Sequence, residues 1–242
     1  MNWFRKNSNT KTIKFKASSN HVFEVREKPQ PASKFIPDWW KNMPHYSSST
    51  NTLEMLPLAS VTAKRCLSVL DGFSAGYIVT LWADVQVLYD EVNGTTLKWA
   101  TTQSPFDVWP DKQVSTFEIP NECSKPVFKY QHGWVISTPS GWSSLVTHPV
   151  AYPNLPFKVI TGIVDTDKLD TLINTPLIFK KGFTGILEKG TPIFQIIPIF
   201  RSNWESEHEL QHPIKLHYDE EKLRTKIVSY YGRYLRVPKS YK

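Results

Sequence analysis

Cysteine is scarce in this chain of 242 residues, where Cys66 and Cys123 are the only two. Two thiols do not make a disulfide framework, and a reducing compartment is the simpler reading. Long apolar runs are also missing, and none approaches the ~20 residues of a membrane span. The first residues, MNWFRKNSNTKTIKFK, hold no apolar segment of the kind a secretory signal needs. A cytoplasmic protein without a membrane partner is therefore expected. Glycine is sparse, ten against eighteen prolines, which favours many connections over long helices. Acidic side chains are absent from residues 1–16 and 222–242, which carry five and seven Lys/Arg. The body between them, residues 17–221, holds 17 basic and 22 acidic side chains, so an acidic body (−5) sits between two basic ends in a chain of net charge +7. Basic ends favour acidic partners, either nucleic acid or the acidic surface of another protein copy.

Aromatic residues are plentiful at 13%, with nine Trp, and an apolar content of 40% excludes a disordered chain. The densest pattern runs from Phe157 to Phe200. Val159–Val164, Leu177–Phe179, Gly185–Leu187 and Ile193–Phe200 are short runs rich in Ile, Val and Phe, bounded by Gly, Asp or Asn. That is how strands joined by tight turns read. Asn93-Gly94 between two strand-like runs marks a hairpin over Tyr89–Trp99. Further strands are expected within 127–139 and 145–149, and Asp71-Gly72 reads as a turn. Residues 1–52 read as an N-terminal arm, 53–202 as a β domain with a proline-rich insertion at 103–126, and 203–242 as a basic C-terminal extension. Trp204–His212 and Glu220–Tyr231 are the helical candidates.

Several groups invite a functional reading. Trp39 and Trp40 suit stacking on a base, but an adjacent pair more often clamps an arm to a core or a neighbouring subunit. His208-Glu209-Leu210-Gln211-His212 satisfies the H-E-x-x-H pattern of zinc peptidases. Pro213 ends the helix at the second histidine and the flanks are polar, so a solvated helix face is the expectation and no metal is assigned to His208, Glu209 or His212. Neither cysteine has a histidine motif beside it. Asp107, Asp111 and the Asp165–Asp170 cluster read as turn residues.

Four blocks, in order along residues 74–200, resemble motifs of the deoxyuridine triphosphatase and dCTP deaminase family. They are Ser74-Ala75-Gly76-Tyr77 with Ala83-Asp84-Val85, Pro139 through Ser143-Ser144, Gly162-Ile163-Val164-Asp165-Thr166-Asp167, and Gly190-Thr191-Pro192-Ile193-Phe194-Gln195. The resemblance implies a mainly β fold, the antiparallel β-clip, and a homotrimer with sites between subunits. It also implies a nucleotide site at Ser143, Ser144, Asp165 and Gln195, with Asp165 as the water-activating carboxylate and Mg²⁺ as cofactor. The chain departs from the family where the chemistry lies. Ile78 replaces a metal-associated Asp, Trp142 stands where an Arg precedes the paired serines, Lys168 replaces the base-stacking Tyr, and Thr191-Pro192 replaces Asp-Arg. Triphosphate hydrolysis needs carboxylates and cations to neutralise the substrate, and only Lys168 and Arg201 are at hand to supply the cations.

The expectation is a non-enzymatic structural or interaction protein on a degenerate scaffold of this family, with no cofactor. A loose similarity to uncharacterised bacteriophage proteins suggests a virion component such as a capsid decoration or cement protein, bound to capsid proteins. Trp39, Trp40, Tyr230, Tyr231, Arg233 and Arg236 are the candidate partner contacts. The alternatives are a nucleotide-binding protein or pyrophosphatase using Asp165, and a nucleic-acid-binding protein using its basic termini.

Overall fold

The computed structural model describes residues 10–46, 62–211, 213–218 and 230–242. In chain order the strands are β1 (Lys14–Ala17), β2 (Gln30–Pro31), β3 (Tyr77–Thr80), β4 (Val85–Asp90), β5 (Gly94–Lys98), β6 (Phe106–Val108) and β7 (Cys123–Tyr130). They continue as β8 (Trp134–Ser137), β9 (Trp142–Thr147), β10 (Phe157–Val159), β11 (Gly162–Val164), β12 (Thr175–Lys180), β13 (Gly185–Leu187) and β14 (Pro192–Phe200). The helices are short: α1 (Asn20–Val25), α2 (Asp38–Lys41), α3 (Leu67–Phe73), α4 (Asp111–Val114) and α5 (213–218). The protein is mainly β, and every strand pair is antiparallel. The sheets are β11-β9-β14-β3-β2, β10-β12-β7-β6, β13-β4-β5 and β1-β8. Among the described residues no helix is long and apolar enough to cross a membrane.

Alternation along the strands builds one core between the sheets. Val79, Phe194 and Ile196 come from the five-stranded sheet, Phe128, Leu177 and Phe179 from the four-stranded, and Val85, Val87 and Leu187 from the three-stranded. Tyr130 ties two of these layers. Its hydroxyl donates to the Thr80 carbonyl at 2.6 Å and accepts from the Trp82 amide at 3.1 Å, so the buried phenol is fully satisfied. Burial raises its pKa. The hairpin expected at Asn93-Gly94 forms between β4 and β5, and the Asp90 carboxylate accepts from the Val92 and Asn93 amides inside its turn.

The N-terminal residues are knitted into this body, with β1 pairing with β8 and β2 with β3. Trp40 is buried and meets Phe73 of α3 edge-on, with ring centroids 4.9 Å apart. The segment 103–126 contributes β6, which pairs with β7.

Three expectations are corrected. Asp71-Gly72 is not a turn but lies inside α3, where Cys66–Leu70 backbone bonds have already started the helix. The strand expected from Val127 begins earlier, at Cys123. Residues 204–211 are not helical. They present no apolar face for burial, and helix formation without packing is marginal at that length. The helix starts instead at Pro213, a residue suited to a first turn because its missing N–H is not needed there. Of the second helical candidate, residues 220–229 lie outside the described residues, and Tyr231–Leu235 form a single wide π-helical turn.

Two local constraints yield tests. Gly76 has φ +67°, and a Cβ there would lie 1.9 Å from the Ile196 carbonyl oxygen of β14. Gly182 has a similar φ of +76° with open space around it. Gly76→Ala is expected to destabilise by at least about 2 kcal/mol, and Gly182→Ala by about 1 kcal/mol, in urea unfolding. Equal effects would mean that backbone strain, not strand approach, sets the requirement. His132 is buried, with its Nδ1 accepting from the Trp134 amide, so Nε2–H donates to the Ile173 carbonyl. Desolvation pushes its pKa down to about 4. Between pH 6.5 and 4 the unfolded chain binds a proton there that the native state refuses, so stability is lost as pH falls. The loss reaches about 3 kcal/mol. His132→Gln should flatten the pH dependence of the urea midpoint across that window; an unchanged slope would refute the assignment.

Candidate functional site

The residues that carried the chemical reading converge where β9, β11 and β14 lie side by side. Val164 of β11 pairs with Ser144 of β9. The chain then turns, with the Lys168 and Leu169 amides donating to the Asp165 carbonyl at 2.9 and 3.0 Å. Thr166 points inward and is buried. Its neighbours Asp165 and Asp167 therefore share the other side of the chain.

The hydroxyls beneath them have one consistent direction. Thr138 Oγ1 donates to the Trp142 carbonyl at 2.9 Å. Its 2.8 Å contact with Thr166 Oγ1 must then be donated by Thr166, and the 2.9 Å contact between Thr166 and Ser144 by Ser144. Ser144 is thus committed to a buried chain of hydroxyls that fixes the turn. Ser143 points to the other side and donates to Asp165 Oδ1 at 2.7 Å.

Arg201 closes the cluster. It is the residue after β14, and its backbone amide donates to the Gly141 carbonyl at 2.9 Å. Its guanidinium forks onto Asp167, with Nη1 to Oδ1 at 2.7 Å and Nη2 to Oδ2 at 2.5 Å. Nη1 also reaches Asp165 Oδ1 at 3.1 Å and Ser143 Oγ at 3.0 Å. The Gly141 amide completes the shell of Asp167 at 2.9 Å. Arg201 and the Gly141 amide together hold the Asp167 carboxyl down to about 2. The Ser143 hydroxyl, and then Arg201, hold Asp165 below its ordinary value. The two carboxylates differ in access, with the Asp167 side chain 5% exposed and that of Asp165 54%. Two carboxylates share one guanidinium, so a single negative charge is left, and Asp165 is the one that meets solvent.

Ser143 and Asp165 are brought together as the sequence suggested. Ser144 sits behind them, and Gln195 is elsewhere. Buried in β14, Gln195 accepts from the Val150 amide at 2.9 Å and donates to the Ala75 and Gly72 carbonyls at 2.6 and 3.3 Å. It clamps the segment before β3 to β14 and faces no ligand space. Asp167 is the member that sequence reasoning passed over as a turn residue. The D-x-D spacing, which sets two carboxylates on one side of an extended chain, was the available signal.

The candidate partner contacts fall in two places. Trp40 is in the core, while Trp39 is 48% exposed and packs edge-on against Trp40 and Phe73. At the C-terminus, Tyr230 and Tyr231 are half-buried, and the rings of Tyr230 and Tyr234 lie 4.9 Å apart. Arg233 is exposed. Arg236 is engaged within the chain: Nη2 meets Asp71 Oδ1 at 2.6 Å and Nε reaches both carboxylate oxygens, with Lys239 joining at 3.1 Å. Tyr241 then packs edge-on against Tyr77. Asp71 thus latches the basic tail across the body.

His208 and Glu209 are exposed and outside any helix, and His212 lies outside the described residues. Among the described residues no group of three or more His, Cys, Asp or Glu side chains is placed to hold a metal ion. No protein-family model matches the chain, and no curated protein matches it.

The ion-pair geometry ranks three substitutions. Arg201→Met leaves the enclosed Asp167 carboxylate with one amide donor. Asp167→Asn leaves the guanidinium with Asp165, and Asp165→Asn removes the exposed partner alone. Thermal unfolding at pH 7 should show the largest drop for Arg201→Met and the smallest for Asp165→Asn. The reverse order would mean that Asp165 is the structural member of the pair.

Proposed function

We propose that this chain is a structural, partner-binding protein built on a β-clip of the deoxyuridine triphosphatase kind, with the family's triphosphate chemistry lost. The β-clip reading is supported by the placement of the four resembling blocks. Spread over residues 74–195, they fall on or beside β3, β9, β11 and β14, which are consecutive neighbours in one sheet.

One observation carries the loss of chemistry. The carboxylates that such a reaction would use are both engaged by the chain's own Arg201, and Arg201, a cation that a triphosphate would need, is itself held by Asp167. A phosphate entering this cluster has to displace a forked carboxylate from Arg201, and a divalent cation has to compete with a guanidinium for Asp165. Gln195, the other motif side chain, spends its polar atoms on the backbone. What remains is a stable scaffold with surface extensions, suited to gripping other protein copies or other proteins. The similarity to bacteriophage proteins makes a capsid the first assembly to test.

The test is direct. The purified protein is incubated with all common deoxynucleoside triphosphates and Mg²⁺, and pyrophosphate and phosphate release are followed. The expected result is no release and no nucleotide-dependent rise in melting temperature. Release that is abolished by Asp165→Asn overturns the proposal and installs the pyrophosphatase reading.

A further inference from the structure

The segment leaving β14 is unlike the rest of the surface. Ser202 to Gln211 belongs to no helix or strand and is exposed at every residue, with Trp204 89% and Leu210 98% exposed. It contains three glutamates, Glu205, Glu207 and Glu209, and no Lys or Arg. The order is alternating. In an extended chain Trp204, Ser206, His208 and Leu210 share one side and the three glutamates the other. Trp204 and Leu210 are then ~20 Å apart at ~3.3 Å per residue. Drawn out, the segment is a ribbon with an apolar anchor at each end and an acidic back, and it pairs with no sheet among the described residues.

The complementary surface lies at the β2 edge of the same sheet, two strands from β14. A groove of about 670 Å³ opens between β1 and β2, over Phe15, Tyr77 and Trp134. Its lining holds three lysines, Lys28, Lys34 and Lys242, and no Asp or Glu. Neither Lys28 nor Lys34 pairs with a carboxylate among the described residues. Lys28 Nζ rests 4.3 Å from the centre of the Phe23 ring, and Lys34 Nζ donates to Gln30 at 2.7 Å. The groove is thus aromatic at its floor and cationic at its rim, with strand edges along both sides.

We infer that the acidic ribbon, residues 202–211, of one copy of this chain docks in the β1–β2 groove of a second copy. Trp204 and Leu210 fill the aromatic floor, and the rim lysines fold over the ribbon to meet its glutamates. Sign and chemistry both match: an acidic back faces a rim that carries lysines and no Asp or Glu, and two apolar anchors face an aromatic floor. Ribbon and groove are different patches of the same chain. The contact is therefore heterologous, and it builds a ring if the rotation closes, or a pair if both copies exchange ribbons. The inference rests on the partner-binding reading above and names the partner as the chain itself.

The experiment is sedimentation equilibrium of the full chain over a concentration series, at low and high salt, with far-UV circular dichroism to confirm folding of each variant. The wild type is expected to self-associate, and more weakly at high salt. Trp204→Ala should weaken association by ~10-fold or more. Reversal of the ribbon (Glu205→Lys, Glu207→Lys, Glu209→Lys) or of the rim (Lys28→Glu, Lys34→Glu) should each weaken it, and a mixture of the two reversed proteins should associate again. A wild type that stays monomeric, or an oligomer indifferent to Trp204→Ala and to both reversals, overturns the inference. Neither result touches the nucleotide assay, so this inference and the proposed function fail separately.

Discussion

The constraint on which the rest of the molecule depends is the close approach of β3 and β14. β14 is the longest strand, paired on one side with β9 and on the other with β3. Its first five residues are buried. The backbones meet so closely at Gly76 that no side chain fits there. Gln195 secures the same junction by filling three backbone hydrogen-bonding positions, one on the Val150 amide and two on carbonyls just before β3. A buried amide with its capacity met in this way specifies register as well as stability. What happens at the surface follows from that register. Arg201 reaches the acid cluster because it follows β14, and the acidic ribbon starts where β14 stops.

The cluster of Asp165, Asp167 and Arg201 has two layers with different jobs. Below is the chain of hydroxyls from Ser144 through Thr166 to Thr138, which sets the turn without any charge. Above is the ion-paired layer, where the forked Arg201–Asp167 contact has the geometry of a strong charge-assisted pair. Asp165 is linked to the same guanidinium but stays half in solvent, where screening weakens the contact. An arginine drawn this fully into its own carboxylates serves the fold first. A triphosphate would have to displace those carboxylates from Arg201, even though the sheet brings Ser143 and Asp165 together.

Much of the β architecture was legible, and the physical reason is local. Period-2 apolar runs with Gly or Asn at their ends specify strands and tight turns without help from distant residues, as at the β4–β5 hairpin and at β13. The failures were of two kinds. Asp71-Gly72 carries turn chemistry but sits in α3, where packing against Trp39 and Trp40 overrides the glycine's preference. At 204–211 a polar segment passed for a helix because helix propensity was read without asking which face would be buried. The candidate site was legible only in part. Ser143 with Asp165 could be anticipated from motif order, and Arg201 as a nearby cation. The diversion of Gln195 and the enclosure of Asp167 could not, because both depend on backbone partners brought close by the sheet.

Charge distribution along the chain bears on how copies would meet. The termini are basic and the body is acidic, yet the C-terminal tail does not extend freely, since Arg236 and Lys239 fold back on Asp71. This latch neutralises part of the tail and lays Tyr241 against Tyr77, beside the β1–β2 groove. The tail thereby helps to build the cationic rim rather than competing for an outside partner. Among the described residues, the acidic segment 202–211 is exposed along its whole length. A chain of net charge +7 resists the approach of its own copies at long range. An exposed acidic ribbon reverses that repulsion locally at the groove rim, where Lys28 and Lys34 pair with no carboxylate among the described residues. Overall repulsion with a single attractive register disfavours random aggregation and selects one orientation, as expected of a protein that assembles in a defined geometry.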